Sequence, residues 1–587
     1  MKLKGLPAYK GVVFGKASLY LPREAAPEPS CNSQTESTEE KVLRYETALR
    51  RADTEIEKIV CAAGKDDTEQ KKIMCAHRMI LEDVAMDEMI RNAITRGKSA
   101  ANAICETYET FIALLQDAEN QFTQERVSDM RDVRSRLLRC LSGEEEQSLS
   151  HLPEPVIIVT KELYPSDTVT IDRENVLAIV TETGGITSHT AILARSYGIP
   201  TVLSVPHITE YLSEGDELIV DAVTGCLYLD PTQEEITACR KQQAAYQKEK
   251  NVINTYAAAE GKTPDGIRIQ IEMNISNADT VREEDAAHSD GVGLMRSEFL
   301  FMDREQLPDE ETQLAHYRAA LEKWRGKPVI LRTVDIGGDK QLPCLPLKKE
   351  ENPFLGKRAL RLCFDRTDIF RTQLRAALRA SVYGELWLMF PMVSSMDDWH
   401  RAKGFVQTVM EELAEEHIHF NPAIKLGIMI EVPSIAIMAD QAAREVDFAS
   451  VGTNDLCQYL MAADRMNPEV SAYYQTFNPA MFRILRYLAQ CFTREKKPLG
   501  VCGEMGGDPR TALALVGMGI HMLSMNASAM PGVKRVINNI TAEEARQITD
   551  AICEARTAEE AEAVLTVRLA ALSEAELAER RSDEEVF

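Results

Sequence analysis

The stretch Gly184-Gly185-Ile186-Thr187-Ser188-His189-Thr190-Ala191-Ile192-Leu193-Ala194-Arg195 sets a histidine where it could attack phosphorus. Two glycines allow backbone conformations closed to other residues. Thr187 or Ser188 can cap the helix that Ala191-Ile192-Leu193-Ala194 suggests, which leaves His189 in its first turn. A neutral imidazole, with an unperturbed pKa of about 6.5, keeps one ring nitrogen free at physiological pH. Once phosphorylated, it would face unpaired N–H groups and the positive end of the helix dipole. A lone histidine beside a helix cap is more often a packing residue, so the rest of the chain has to decide.

A second set of candidates lies far downstream. Arg296, Arg332, Glu431, Asn454, Asp455 and Cys502 each stand at the end of a short apolar run. Two converging arginines suit a dianionic phosphate, because the guanidinium fork pairs its oxygens bidentately, although a single arginine is more often a surface ion pair. Glu431 and Asp455 supply two hard oxygens, a usual number for magnesium that takes its other ligands from substrate and water. Cys502, between Val501 and Gly503-Glu504, reads equally as a packed thiol or as a working one.

The elements that must position these residues follow from periodicity. Apolar runs at Ile267–Asn274, Gly291–Ser297, Val329–Thr333, Trp387–Met392, Lys425–Glu431, Phe448–Thr453, Gly500–Gly503 and Met522–Ser524 alternate with helical segments, as in a (β/α)8 TIM barrel. The polar candidates then sit at the C-terminal strand ends, where barrel active sites lie. His189 follows the run Leu177-Ala178-Ile179-Val180, one of a set with Val156–Val159, Thr201–Leu203 and Leu218–Val220 that reads as a β/α domain. Residues 11–21 add an opening strand or hairpin. Their Gly11 to Gly15-Lys16 spacing is one residue short of a P-loop, and Ala17 stands where a hydroxyl should hold magnesium.

Between these strands, Val42, Tyr45, Leu49, Ala52, Ile56 and Ile59 form one helical face, followed by Ile104, Tyr108, Phe111, Leu115 and by Val133, Leu137, Leu141. A helical bundle is therefore expected as an insertion into the β/α domain. Residues 232–260 read as a long, mostly polar helix bridging domains through solvent.

Composition narrows the class. The 587 residues suggest about four domains, or three if one is a barrel. Hydrophobic content of 44% and charged content of 27% are ordinary for globular protein, and no apolar run nears the roughly 18 residues of a membrane span. Met1-Lys-Leu-Lys-Gly-Leu-Pro lacks the apolar core of a signal peptide, so a cytoplasmic protein without membrane insertion is expected. Thirteen cysteines without a Cys-x-x-Cys pair fit neither a disulfide framework nor a zinc ribbon. A net charge of −25 disfavours nucleic acid, and it either steers a basic protein partner onto the surface or serves solubility alone, which charge by itself does not decide.

The motifs GGITSHTAILAR at 184, GVGLMRSEFLFMDR at 291, ILRTVDIGGDK at 330, ENPFLGKRALR at 351, GIMIEVPS at 427, VGTNDLCQYLMAADRMN at 451 and VCGEMGGD at 501 together carry a resemblance. Over essentially its full length the chain resembles Enzyme I of the bacterial sugar phosphotransferase system. The resemblance implies a multidomain α/β protein: a swivelling phosphohistidine domain (1–30 and 147–230), an inserted helical domain (31–146), a linker helix (231–260) and a phosphoenolpyruvate-binding barrel (261–587).

It further implies that His189 takes the phosphoryl group of phosphoenolpyruvate and hands it to the basic phosphocarrier HPr, docked on the helical domain that contains Cys75–Asp83. Arg296 and Arg332 would hold the phosphate, Arg465 and Asn454 phosphate and carboxylate, with the Asp455 backbone assisting. Glu431 and Asp455 would bind Mg2+, and Cys502 would protonate the enolate to pyruvate. Lys340 and Arg358 would add positive charge, and the protein would form a homodimer through the barrel. Ala449, Cys457, Gly506 and Asn478 depart from the family pattern without removing a catalytic group. A pyruvate phosphate dikinase would need an ATP-grasp domain, for which the 183 residues before Gly184 leave no room. A non-catalytic regulator would be expected to have lost His189, an arginine or a metal carboxylate.

Overall fold

A computed structural model describes residues 1–21, 37–62, 68–116, 121–143, 149, 152–164, 166–167, 171–172, 175–185, 189–302, 304, 306–337, 342, 344–348 and 350–585. The chain forms two compact units, Met1–Lys250 and Asn251–Phe587.

In the first unit, strands β1 (Lys2–Lys4), β2 (Leu6–Tyr9) and β3 (Val12–Leu19) are followed by helices α1 (Thr38–Ala62), α2 (Thr68–Leu81), α3 (Val84–Thr95), α4 (Ala100–Gln116) and α5 (Gln121–Ser142). The chain then returns as β4 (Val156–Thr160), β5 (Val176–Thr181), helix α6 (His189–Tyr197), β6 (Thr201–Leu203), β7 (Glu217–Asp221) and β8 (Cys226–Leu229). These strands make one sheet in the order β1-β8-β7-β3-β4-β5-β6-β2. Strand β3 pairs in parallel with β4, so the helices enter between two neighbouring strands of one sheet. Of the strand or hairpin expected over residues 11–21 the structure has the strand, Val12–Leu19; two further strands precede it, Lys2–Lys4 and Leu6–Tyr9, which pair with β8 and β6 at opposite edges.

The apolar faces read from the sequence form the bundle core. Tyr45, Ala52, Ile56, Ile104, Tyr108, Val133, Leu137 and Leu141 are all buried in one cluster, with Val42, Leu49, Ile59, Phe111 and Leu115 packed against it. Burial of this kind stabilises by about 25 cal/mol per Å2 of apolar surface, and it holds each helix by its stripe. The long polar helix runs from Gln233 to Asn254. It does not run wholly through solvent: Ile236 and Cys239 pack with Val12 and Ile219, and the Tyr246 hydroxyl donates to the Lys10 carbonyl at 3.3 Å. The helix belongs to the first unit as far as Lys250, because three side chains on one face are apolar or amphipathic enough to cover the sheet.

In the second unit, β9 (Gln270–Ile275), β10 (Val292–Arg296), β11 (Pro328–Arg332), β12 (Glu385–Phe390), β13 (Lys425–Ile430), β14 (Phe448–Val451), β15 (Leu499–Val501) and β16 (Met522–Met525) close into a parallel barrel. Closure runs through β16 and β9, with Met522 opposite Gln270 and Met525 opposite Met273. Strand alternation sends Ile271, Met273 and Ile275 outward into the core beneath the helices. Leu294, Ile330, Trp387, Met389, Met429, Phe448, Cys502 and Met522 form a separate inner cluster, with the Trp387 and Phe448 rings 4.9 Å apart. The barrel is therefore a packed body with its open end at the C-terminal strand ends.

The departures from the resembling family find simple places here. Ala449 and Cys457 lie in the apolar core, and Asn478 caps the helix Pro479–Arg494 by accepting from the Ala480 N–H. A Cβ on Gly506 would come within 2.9 Å of both the Ser524 and the Val501 carbonyl oxygens. Alanine there would require the ends of β15 and β16 to shift.

Candidate functional site

His189 opens helix α6 directly after β5. Gly184 has a φ of +109°, a conformation that favours glycine, and its carbonyl accepts from the Ser204 hydroxyl at 2.7 Å. The helix is anchored by Ala191 and Ala194, both fully buried, and by the Thr190 hydroxyl, which donates to the Leu163 carbonyl at 3.4 Å. Thr187 and Ser188, the expected caps, lie outside the described residues, as does Lys340.

The barrel end assembles the other candidates. Arg296 and Arg332 are register partners on β10 and β11, so the sheet itself sets the two guanidinium groups side by side. Arg332 is buried, with Nη2 donating to Glu298 at 2.9 Å and Nη1 3.0 Å from Asp335. Arg358 chelates Asp335, Nη2 reaching both carboxylate oxygens at 2.9 Å, and lies 3.4 Å from Asp455. Arg465 comes within 3.7 Å of the other oxygen of Asp455. Charge thus alternates along a row Glu298, Arg332, Asp335, Arg358, Asp455, Arg465. Two groups in this row lack hydrogen-bond partners among the described residues despite burial: the Nε–H of Arg332 and Oδ1 of Asp455. Arg296 has neither a hydrogen bond nor an ion pair among them. A buried donor left unpaired costs on the order of 1–3 kcal/mol, so the arrangement favours an anion that would satisfy it.

Glu431 and Asp455 meet the requirement for two hard oxygens. Glu431 is buried and one of its oxygens accepts from the Met392 N–H at 2.6 Å. Gly452 makes room for the other, since a Cβ there would lie 2.8 Å from it. Burial, then the negative charges of Asp455 and Asp335, hold the Glu431 carboxyl above the usual range, against the pull of Arg332 and Arg358. Two buried carboxylates that repel each other, one with an oxygen that accepts no hydrogen bond among the described residues, fit a hard divalent cation. Among the described residues no group of three or more His, Cys, Asp or Glu is placed to hold a metal by itself. A cation here would need further oxygens from substrate and water.

Asn454 is engaged by Glu504 in both directions: its amide donates to the carboxylate at 3.3 Å and accepts from the Glu504 N–H at 3.1 Å. Cys502 is buried, with Sγ 3.6 Å from the Val451 carbonyl. Burial pushes its thiol up to about 11, and the nearby Ser450 hydroxyl, Arg332 and Arg296 pull the other way. The thiol is protonated at neutral pH, which suits a proton donor.

Sequence reasoning missed the residues that hold these in place. Glu298 binds both the Arg332 guanidinium and the Asp335 N–H, and the Tyr459 hydroxyl accepts from Arg358 at 3.3 Å while donating to the Phe354 carbonyl at 2.6 Å. Their signal was their position two or three residues past an arginine, or four past Asp455, on the same turn. Asn274 and Glu272 on β9 also point inward.

Comparison with known families makes this an enzyme that uses phosphoenolpyruvate. Three family models match in chain order: PEP-utilising enzyme, N-terminal, over residues 4–126; mobile domain over 152–225; and PEP-binding domain over 250–542. Curated proteins named phosphoenolpyruvate-protein phosphotransferase are similar along nearly the whole chain. Those of Bacillus sp. (strain S) and Geobacillus stearothermophilus are each 39% identical over 95% of this chain and 96% of their own. That of Bacillus subtilis (strain 168) is 39% identical over 95% of this chain and 98% of its own. The NMR solution structure of Enzyme I (nEIt) is 33% identical, covering 42% of this chain and 99% of that one, with a TM-score of 0.37. The chain belongs to the phosphoenolpyruvate-protein phosphotransferase family.

Proposed function

We propose that this protein moves the phosphoryl group of phosphoenolpyruvate onto His189 and then onto a histidine of the phosphocarrier HPr, releasing pyruvate and driving sugar uptake. The observation that carries the reading is the charge row at the barrel end, with the Arg332 Nε–H buried and without a hydrogen-bond partner among the described residues, near the buried Cys502 thiol. Arg296 and Arg332 bind the phosphate, and Arg465 and Asn454 hold phosphate and carboxylate together with the Asp455 backbone. Phosphoryl transfer needs placement and charge compensation more than covalent help, and fixed arginines supply both. Glu431 and Asp455 are the proposed Mg2+ ligands; the bound ion would act as a Lewis acid toward charge developing on the substrate oxygens. As phosphate leaves, the Cys502 thiol gives its proton to the methylene carbon, and the product departs as pyruvate.

His189 belongs to the first unit and the arginines to the second, so transfer requires the two to be brought together through the chain at Gln233–Asn254. The proposed division is a phosphohistidine domain at 1–30 and 147–230, an inserted HPr-binding domain at 31–146, a linker helix at 231–260 and the barrel at 261–587. HPr docking on the helical domain, a homodimer through the barrel and a cytoplasmic location complete the reading. The net charge of −25 supports a basic partner. No helix among the described residues is long and apolar enough to cross a membrane.

Cys502→Ser separates the proton donor from phosphate binding. A hydroxyl is a far weaker acid than even a raised thiol, so steady-state pyruvate release should fall by about 10²- to 10⁴-fold, with the affinity for phosphoenolpyruvate within about threefold of wild type. Continuous assay of pyruvate alongside direct ligand titration reads both. Unchanged pyruvate release would remove Cys502 from the mechanism.

A further inference from the structure

Strand β9 contributes none of the residues assigned above, yet its Asn274 makes three hydrogen bonds at the barrel end. The side-chain Nδ2 donates to the Cys502 carbonyl at 3.0 Å and to the Ser524 carbonyl at 3.4 Å, while Oδ1 accepts from the Ser524 hydroxyl at 2.6 Å. This orientation of the amide is the one the bonds allow, since turning it over would set Oδ1 against two carbonyl oxygens.

The need for such a brace is local. Strand β15 is three residues long and its last ladder pair is Val501 with Leu523, so Cys502 stands just past the end of the sheet. On one side its N–H donates to the Val451 carbonyl of β14 at 3.1 Å. On the other, its carbonyl is held by Asn274. Gly503 follows and packs against Thr453, where a Cβ would lie within 2.7 Å of the Thr453 nitrogen. The peptide plane between Cys502 and Gly503 sets the direction of the Cys502 Cα–Cβ bond, and a proton donor misplaced by about 1 Å can lose on the order of 10²-fold in rate.

We propose that Asn274 is a positioning residue for the proton donor, holding the Cys502 main chain so that the thiol faces one side of the bound enolate. The inference rests on the reaction proposed above. In the step concerned the S–H bond breaks and a C–H bond forms at the methylene carbon, using the electron pair of the enolate double bond. The enolate oxygen becomes the keto oxygen, and the thiolate left on Cys502 regains a proton from water.

The test uses full-length protein, phosphoenolpyruvate stereospecifically deuterated at the methylene carbon, and tritiated water, so that the chirality of the pyruvate methyl group reports the face of protonation. Wild type should deliver hydrogen to one face. Asn274→Ala should give both faces, with pyruvate release slowed about tenfold or more, while single-turnover phosphorylation of His189 stays within about threefold. Ser524→Ala, which removes the bond to Oδ1 and leaves the one to Cys502, should lose facial selectivity in part, and it decides the matter if Asn274→Ala does not fold. Full selectivity in both variants would overturn the proposal, as would equal loss of phosphorylation and protonation in Asn274→Ala, the mark of a structural role alone. Absence of phosphohistidine in wild type, or full selectivity in Cys502→Ala, would instead overturn the reaction reading and this proposal with it.

Discussion

Arg332→Met should lower kcat/KM for phosphoenolpyruvate by about 10³-fold, the upper range for removing a preorganised donor from a developing anion. The side chain is the junction of the charge row: Glu298 and Asp335 fix its two Nη groups at 2.9 and 3.0 Å, and Nε–H is left without a partner among the described residues. Substituting it also leaves the buried Glu298 carboxylate without its cation, while Asp335 keeps Arg358, and a buried pair broken on one side typically costs about 3–5 kcal/mol. The barrel should therefore unfold at lower urea as well. Arg332→Lys keeps the charge without the fork, so it should recover part of the stability and little of the catalytic loss. Steady-state kinetics and denaturation on both variants distinguish these effects. Full activity in Arg332→Lys would show that a point charge suffices there.

A second large effect is expected where no catalytic role has been assigned. Glu272 on β9 is 1% exposed, faces the barrel interior beside Ser524, and has an oxygen without a hydrogen-bond partner among the described residues. Gly293 leaves the space it occupies, since a Cβ there would lie 2.4 Å from the carboxylate. Burial, then the charge of Asp290, pushes this carboxyl up to about 8 from an ordinary 4.5. Between those values the folded state holds a proton that the unfolded chain has released. Stability therefore falls as pH rises through that window, by up to about 1.4 kcal/mol per pH unit, and levels off above about 8.

Glu272→Gln keeps the shape and removes the titration. It should match wild type near pH 4 and exceed it by a few kcal/mol at pH 9. Urea unfolding followed by tryptophan fluorescence reads the right unit, since the chain's three tryptophans, Trp324, Trp387 and Trp399, all belong to it. A stability difference independent of pH would mean that Glu272 is ionised in the folded protein.

The parts of this protein that were legible in its sequence share one physical cause. Buried parallel strands must be apolar on both faces, so the runs from Ile267 to Ser524 could be read one by one, and the eight strands close as a barrel. The helical faces of Val42–Ile59 and Ile104–Leu115 were legible for the same reason, at a period of 3.6. Edge strands were not: Lys2–Lys4 and Leu6–Tyr9 are short and half-exposed, and their pairing with β8 and β6 is set by tertiary contacts.

At the site, Arg296 and Arg332 were legible because each falls at the end of an apolar run, and two arginines at converging strand ends suit one dianionic phosphate. Their adjacency was not, since it depends on barrel register. Glu298, Asp335 and Tyr459 were passed over because an acid or a tyrosine near an arginine is common on any surface. Their role follows from burial, which one sequence does not display. Asn274 and Glu272 required knowing which face of β9 turns inward, and a one-residue shift in that strand would have sent both to the helical layer.

Whether His189 carries phosphate can be read directly. The protein would be incubated with Mg2+ and phosphoenolpyruvate labelled at phosphorus, beside His189→Ala, and tested for acid-labile, base-stable label. Label is expected on the wild type alone, transferable to HPr with pyruvate released in equal amount. A wild type that binds HPr but takes up no label, or a His189→Ala protein labelled as fully as the wild type, would contradict it.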